Sequence, residues 1–411
     1  MTTTAPARAD AMSTRLLLLL SLACAVGVGN LYFPQAITPL IAAGLDVPPG
    51  AAAPVVTAIQ LGYTAGIFLL VPLGDRLPGR PFLVALLAVA GAGLLLAAAA
   101  PALPVLVAAS ALVGVATIAA QVIAPMAAGL VDGGRRGTVL GTLLSGSMAG
   151  MLLARAFGGT LGEWLGWRAP YLAAAVVVLL LAGVLAFVLP VTVPAARGGR
   201  PSLLDPLRLL RAEPELRRSC LYQAAAFGGF SAVWTCVALL LTGPVYGLDT
   251  RAVGLLALVG AATIACTPLA GRLVDRRGAD AVTLVCLLGL LAAAAILAAG
   301  ARGGTVGLVA LTAGTLVLDV AMQSGTVANQ SRVLALRADA RGRLNTAYMT
   351  CSYLGGTAGS WAGLRLYAHL GWTGVCALVA VAAAVALTRH LAALRAGERL
   401  GGEADARRRK G

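Results

Sequence analysis

Asp319 is the only acidic residue deep inside a long apolar run of this 411-residue chain. Burial there disfavours the charged carboxylate, which suits a group that must take up and release a proton. The alternative is a structural partner for an arginine. Gln323 follows one helical turn later and shares its face. Arg155 sits about eight residues, ~12 Å along a helix, from the nearer end of its own run. That is too deep for the guanidinium to reach water simply by extending, so Arg155 reads as functional or charge-paired. A pairing of Arg155 with Asp319 is one expectation. Arg365 lies close enough to its run's end to snorkel. Other polar and aromatic side chains fall mid-run: Asn30, Tyr32 and Gln35 beside Pro34, Gln121 near Pro125, then Tyr222, Gln223 and Trp234. Each can line a cavity or serve helix packing. Gln60, Tyr63, Tyr348, Tyr353 and Trp361 carry a weaker version of the same signal, and His369 and His390 fall at run ends, where they are expected to be interfacial.

Composition says what must position these residues. The chain is 59% hydrophobic and 11% charged, with a mean hydropathy of +0.89. Soluble domains carry roughly 25% charged residues, so this chain lacks the charge to cover a water-facing surface. A net charge of +15 raises the question of nucleic acid. However, the basic residues sit in short clusters between apolar runs, the pattern of membrane topology and not of a nucleic-acid face. Seven cysteines without a CxxC pair indicate neither a disulfide framework nor a metal site. No cofactor is expected, and no GxxxxGK[ST] loop offers a nucleotide site. A membrane enzyme would need clustered acids, a nucleophile with its base, or metal ligands, and none is evident.

Runs long enough to cross a bilayer fall at 16–41, 51–73, 81–100, 104–130, 138–162 and 169–190, then at 219–242, 252–271, 281–300, 305–330, 344–368 and 373–391. This predicts an all-α integral membrane protein of twelve transmembrane helices in two six-helix halves, 16–190 and 219–391. A linker, 191–218, joins them, with a tail at 1–15 and a basic tail at 392–411. Of the 31 Lys and Arg residues, 26 fall at loops of one side, three on the other (Arg168, Arg251, Arg302) and two within spans (Arg155, Arg365). The positive-inside rule then places both termini in the cytoplasm of a multi-pass protein of the cytoplasmic (inner or plasma) membrane.

The halves repeat. Gly44-Leu45-Asp46 recurs as Gly247-Leu248-Asp249, Asp75-Arg76 as Asp275-Arg276, and Gly166-Trp167 as Gly371-Trp372. Internal repeats of this kind mark transporters, with the pathway between repeats. A channel has no need of matched halves. Small residues recur every four positions at Gly146, Gly150 and Ala154, and at Gly355, Gly359 and Gly363, so helices can approach closely there. These stripes are static packing or a surface on which the halves move.

The loop Gly271-Arg-Leu-Val-Asp275-Arg276-Arg277-Gly278 resembles the G-x-L-x-D-R-x-G signature of the major facilitator superfamily. A first-half copy has Pro78 where the family has Gly. Across nearly the whole chain the sequence also resembles bacterial twelve-span exporters of the drug:proton antiporter type. That likeness is carried by Asn30-Leu-Tyr-Phe-Pro-Gln35, Leu152-Leu-Ala-Arg155, Asn329-Gln-Ser-Arg332 and Asn345-Thr-Ala-Tyr-Met349. Ser110 stands where those exporters have a fourth-span Arg, and the fifth span ends its glycine series at Ala154-Arg155 without their Gly-Pro. The resemblance implies that helices one, four, seven and ten line a cavity, which collects Asn30, Tyr32, Gln35, Gln121, Tyr222, Gln223, Trp234 and Gln323 as substrate ligands. It implies that Asp319 and Arg155 couple a proton, and that Asp75, Arg76, Gly271, Asp275, Arg276 and Gly278 gate the cytoplasmic side. The expected activity is proton-coupled efflux of a small amphipathic molecule by a monomer. Uptake or uniport by the same fold is the alternative, and a non-transporting membrane sensor is the alternative from another class.

Overall fold

The computed structural model describes residues 13–48, 50–74, 77–131, 136–190, 205–260, 262–337 and 340–408. All secondary structure among them is helical. In order, the helices are α1 (Thr14–Gly44), α2 (Pro54–Gly74), α3 (Gly79–Ala98), α4 (Leu103–Ala116), α5 (Ala119–Gly129), α6 (Arg136–Leu165), α7 (Arg168–Val188), α8 (Asp205–Ala212), α9 (Pro214–Thr242), α10 (Thr250–Val259), α11 (Ala262–Ala298), α12 (Gly304–Leu336) and α13 (Arg341–Arg408). Ten helical stretches among the described residues are long and apolar enough to cross a membrane. Large apolar side chains also face outward, Phe187, Leu165, Leu180 and Leu255 among them. In water such surface would drive aggregation; in a bilayer it meets lipid tails.

Helix boundaries depart from the apolar runs where the backbone is punctuated. The run 104–130 is broken into α4 and α5 at Thr117 and Ile118. The run 252–271 begins as α10 and ends within α11, and α11 continues through a non-helical Gly278 (φ 81°, ψ 159°). Likewise α13 carries two runs joined at Gly371 (φ 62°, ψ −155°). Positive φ is costly for any residue with a Cβ, so the Gly-Trp repeat has a backbone cause: Gly166 also has positive φ, 83°. In the Gly271–Gly278 loop, Gly278 supplies the turn. Asp75 and Arg76 lie outside the described residues.

Contacts divide the chain into two compact units, residues 1–203 with 237–264, and residues 204–236 with 265–411. In the first, α1 lies along α6, α2 along α4, and α3 along α7; α10 packs on α6 and α1. The α1–α6 seam is the predicted glycine stripe. A Cβ on Gly146 would fall 2.5 Å from the Ser21 carbonyl oxygen, one on Gly150 1.9 Å from that of Ala25, and Ala154 meets Gly29. The second unit repeats this between α13 and α9. A Cβ on Gly355 would lie 2.5 Å from the Ala224 Cα, one on Gly359 2.1 Å from the Gly228 carbonyl oxygen, and one on Gly363 2.7 Å from the Ala232 Cβ. Each stripe therefore packs against a long helix of its own unit, α1 in the first and α9 in the second.

Candidate functional site

In the first unit, Arg155 is fully buried on α6, and its Nε donates to Gln35 Oε1 at 3.0 Å. Its guanidinium carbon lies 4.9 Å from the centre of the Tyr32 ring. Gln35 and Tyr32 are presented by α1, which the glycine stripe holds against α6. An amide oxygen and an aromatic face are the groups that stabilise a buried cation without neutralising it. The structure thus brings together three residues named from sequence. Asn30 is buried one turn before Pro34. Gln121, on α5, is half-buried, and its amide donates to Tyr63 Oη at 3.3 Å. This joins a named residue to one whose signal was weaker.

In the second unit, Asp319 is 1% exposed on α12. The Trp234 indole of α9 donates to its Oδ1 at 3.0 Å. An indole N–H is a donor only, so this bond fixes the carboxyl group's orientation in either protonation state. Gln323, one turn on, is half-buried. Gln223 donates to Thr326 Oγ1 at 2.7 Å, tying α9 to α12 a second time.

Tyr222 belongs to a different neighbourhood. Its ring meets His390 edge-on, with centroids 5.3 Å apart, and Arg218 lies 6.0 Å above it. His390 is fully buried, and its Nε2 lies 3.1 Å from the Asp280 carbonyl oxygen. His390, expected to be interfacial from its place at a run end, is packed inward by α13 against α11. The Asp280 carboxylate accepts from Arg332 at 2.6 Å and from Arg218. Arg332 also reaches Asn329 (2.8 Å) and Thr283 (3.2 Å). Sequence reading passed over this cluster. Its signal was there: Asp280 falls two residues beyond Gly278, and Arg332 closes a segment that carried the family resemblance. Asp275 and Arg276 themselves are exposed on the last turn before Gly278, and Gly271 is half-buried.

Replacing Asp280 leaves two arginines, each about one-tenth exposed, beside each other without their shared acid. Asp280 is itself 46% exposed, so solvent takes up part of the loss. The expected destabilisation by Asp280→Asn is about 1–2 kcal/mol, read as a lowered midpoint in chemical unfolding of the purified protein. The same change at exposed Asp275 is expected to shift that midpoint by less than ~0.5 kcal/mol.

Long apolar helices with buried charge held on polar partners suit a membrane transporter. The chain belongs to the Major Facilitator Superfamily, whose family model matches residues 18–360. It is 35% identical over 378 residues to the uncharacterized transporter YgaY of Escherichia coli O157:H7, covering 92% of this chain and 95% of that one. It is 32% identical over 281 residues to a chloramphenicol resistance protein of Streptomyces lividans, covering 66% of this chain and 70% of that one. Among solved structures, the nucleoside transporter NupG superposes with a TM-score of 0.75 over 92% of this chain and 98% of that one, at 13% identity. At that identity the likeness is one of fold.

Proposed function

We propose that this chain is a twelve-span secondary transporter that exports a small amphipathic molecule as a proton enters through Asp319. Division of α11 at Gly278 and of α13 at Gly371, with α4 and α5 taken as one crossing and α10 joined to the start of α11, supports twelve crossings in halves 16–190 and 219–391. The distribution of arginine supports cytoplasmic termini. Similarity to a resistance protein supports export, since a membrane transporter confers resistance by removing the drug.

The observation that carries the reading is a buried charge in each half, Arg155 at 0% exposure and Asp319 at 1%. Charges in a membrane interior are costly and mark ion or substrate pathways. Asp319 takes and releases the proton, with Trp234 holding its orientation. Arg155 acts with it as a fixed positive charge, seated by Gln35 and Tyr32. Gln223, Gln323, Gln121 and Asn30 offer amides for a substrate that also needs apolar contact. Exchange requires that proton and substrate oppose each other, so that binding of one favours release of the other. Gly271, Asp275, Arg276 and Gly278 then form the cytoplasmic gate, with Asp75 and Arg76 their first-half counterparts.

The test is purified protein in liposomes with an internal pH dye, challenged with a panel of amphipathic drugs and metabolites. Proton movement that depends on a compound is the expected result. Transport without proton movement overturns coupling and favours uniport, the reading to which Ser110 and the missing Gly-Pro point. The joint role of Arg155 and Asp319 has its own measurement. Arg155→Gln is expected to lower coupled transport to the same background as Asp319→Asn, because groups acting as one unit fail together. Coupled transport that persists in Arg155→Gln would show that the two act separately.

A further inference from the structure

At the Leu165 end of α6, the helix meets the first turn of α10. Glu163 Oε2 lies 2.7 Å from the Thr250 hydroxyl and 3.3 Å from the Thr250 backbone nitrogen. The same hydroxyl lies 3.0 Å from the Gly159 carbonyl oxygen, so one proton serves two acceptors. Thr250 opens α10 behind the N-cap Asp249, where backbone N–H groups have no partner within the helix. The carboxylate from α6 thus satisfies an orphan donor of α10 and sits at the positive end of its dipole. Next to it, the Arg251 guanidinium lies 5.6 Å from the Trp164 ring. Two glycines let the backbones meet. A Cβ on Gly159 would fall 2.5 Å from the Thr250 carbonyl oxygen, and one on Gly254 2.7 Å from the Ala156 Cα.

We propose that Glu163 is the latch of an outer gate formed by α6 and α10, closed in this conformation. The proposal rests on the transporter reading above, in which α6 belongs to the first half and α10 to the second, so that transport must part them. The contacts suit separation. The Glu163 bonds are polar and lie at a helix end, where water can take their place once the helices part. Arg168 and Arg251, two of the three basic residues assigned to the outer side, flank the same end.

The reporter is Ala257→Cys in the full chain with its native cysteines replaced. Ala257 is fully buried and shares a face of α10 with Thr250 and Gly254, so a hydrophilic maleimide reaches it only when the seam parts. In detergent both sides of the protein are accessible and nothing is transported, so the result is independent of membrane orientation and of the liposome assay. Glu163→Ala and Thr250→Val are each expected to raise the labelling rate about tenfold, the size of a lost hydrogen bond to a charged group. Glu163→Gln, which keeps an acceptor oxygen, is expected to fall between. A second buried reporter, Ala293→Cys in α11, is expected to stay slow throughout. Labelling of Ala257→Cys unchanged within about twofold in both variants overturns the latch. So does a rise at both reporters, which signals general loosening.

Discussion

Asp319→Asn is expected to reduce substrate-driven proton movement to background while the purified protein remains folded. The substitution is close to isosteric, and asparagine keeps an oxygen that can accept from the Trp234 indole at the present 3.0 Å. Packing at a position 1% exposed is therefore preserved. What disappears is the ability to exist in two protonation states, and with it any coupling that depends on them. A lost neutral hydrogen bond would cost about 1 kcal/mol, or roughly fivefold; loss of the carboxyl proposed to carry the proton is a loss in kind. Trp234→Phe separates the two contributions. It removes the donor and keeps the carboxyl, so proton movement is expected to persist, slowed by about 10-fold through misorientation of the acid. Full coupled transport by Asp319→Asn would remove this carboxyl from the mechanism.

Gly150→Val is expected to be the most destabilising single change in the first half. A Cβ there falls 1.9 Å from the Ala25 carbonyl oxygen and 2.6 Å from the Ala25 Cα. These are backbone atoms, so no side chain can rotate aside, and α1 must lift away from α6. Overpacking of this kind costs about 3 kcal/mol or more, and roughly 5–10 °C in thermal midpoint. Gly359→Val is expected to match it in the second half, since its Cβ would fall 2.1 Å from the Gly228 carbonyl oxygen. The comparison is Gly183→Val in α7, where nothing lies within 4 Å; there the midpoint is expected to move by no more than about 2 °C. Because the α1–α6 seam also seats Gln35 and Tyr32 against Arg155, residual Gly150→Val protein should lose transport out of proportion to its folded fraction. A midpoint for Gly150→Val equal to that of Gly183→Val would show that the helices are not in backbone contact.

Much of this protein is written locally. Long, continuously apolar runs and few charges determine that the chain is helical and lipid-facing, because in a bilayer such a run satisfies its backbone hydrogen bonds within itself only as a helix, whereas barrel strands are shorter and alternate. Repeated Gly-Trp pairs, small-residue stripes and the loop at Gly271–Gly278 are visible as spacings, and the positive-φ glycines give several of them a backbone cause. The residues that carry charge inside the apolar runs, Arg155 and Asp319, can also be picked out one by one, since their cost depends only on where they fall.

Partnership was decided by tertiary structure. Gln35 and Arg155 are 120 residues apart, and Trp234 and Asp319 are 85 apart. All four stood out in the sequence, yet nothing in their spacing pairs them. Tyr222 carried the same signal as Trp234, but the turn of α9 directs it toward His390 and Arg218. The glycine stripes show where a close approach occurs and not with which helix. Asp280 and Glu163 look like ordinary residues at helix ends until α9, α12 and α13 surround the first, and α10 sets its first turn against the second. Pattern along a helix reports which face is apolar, because that depends on 3.6-residue periodicity within one segment. Contact between helices depends on how two such faces dock, and a shift of one turn exchanges every partner while leaving both patterns unchanged.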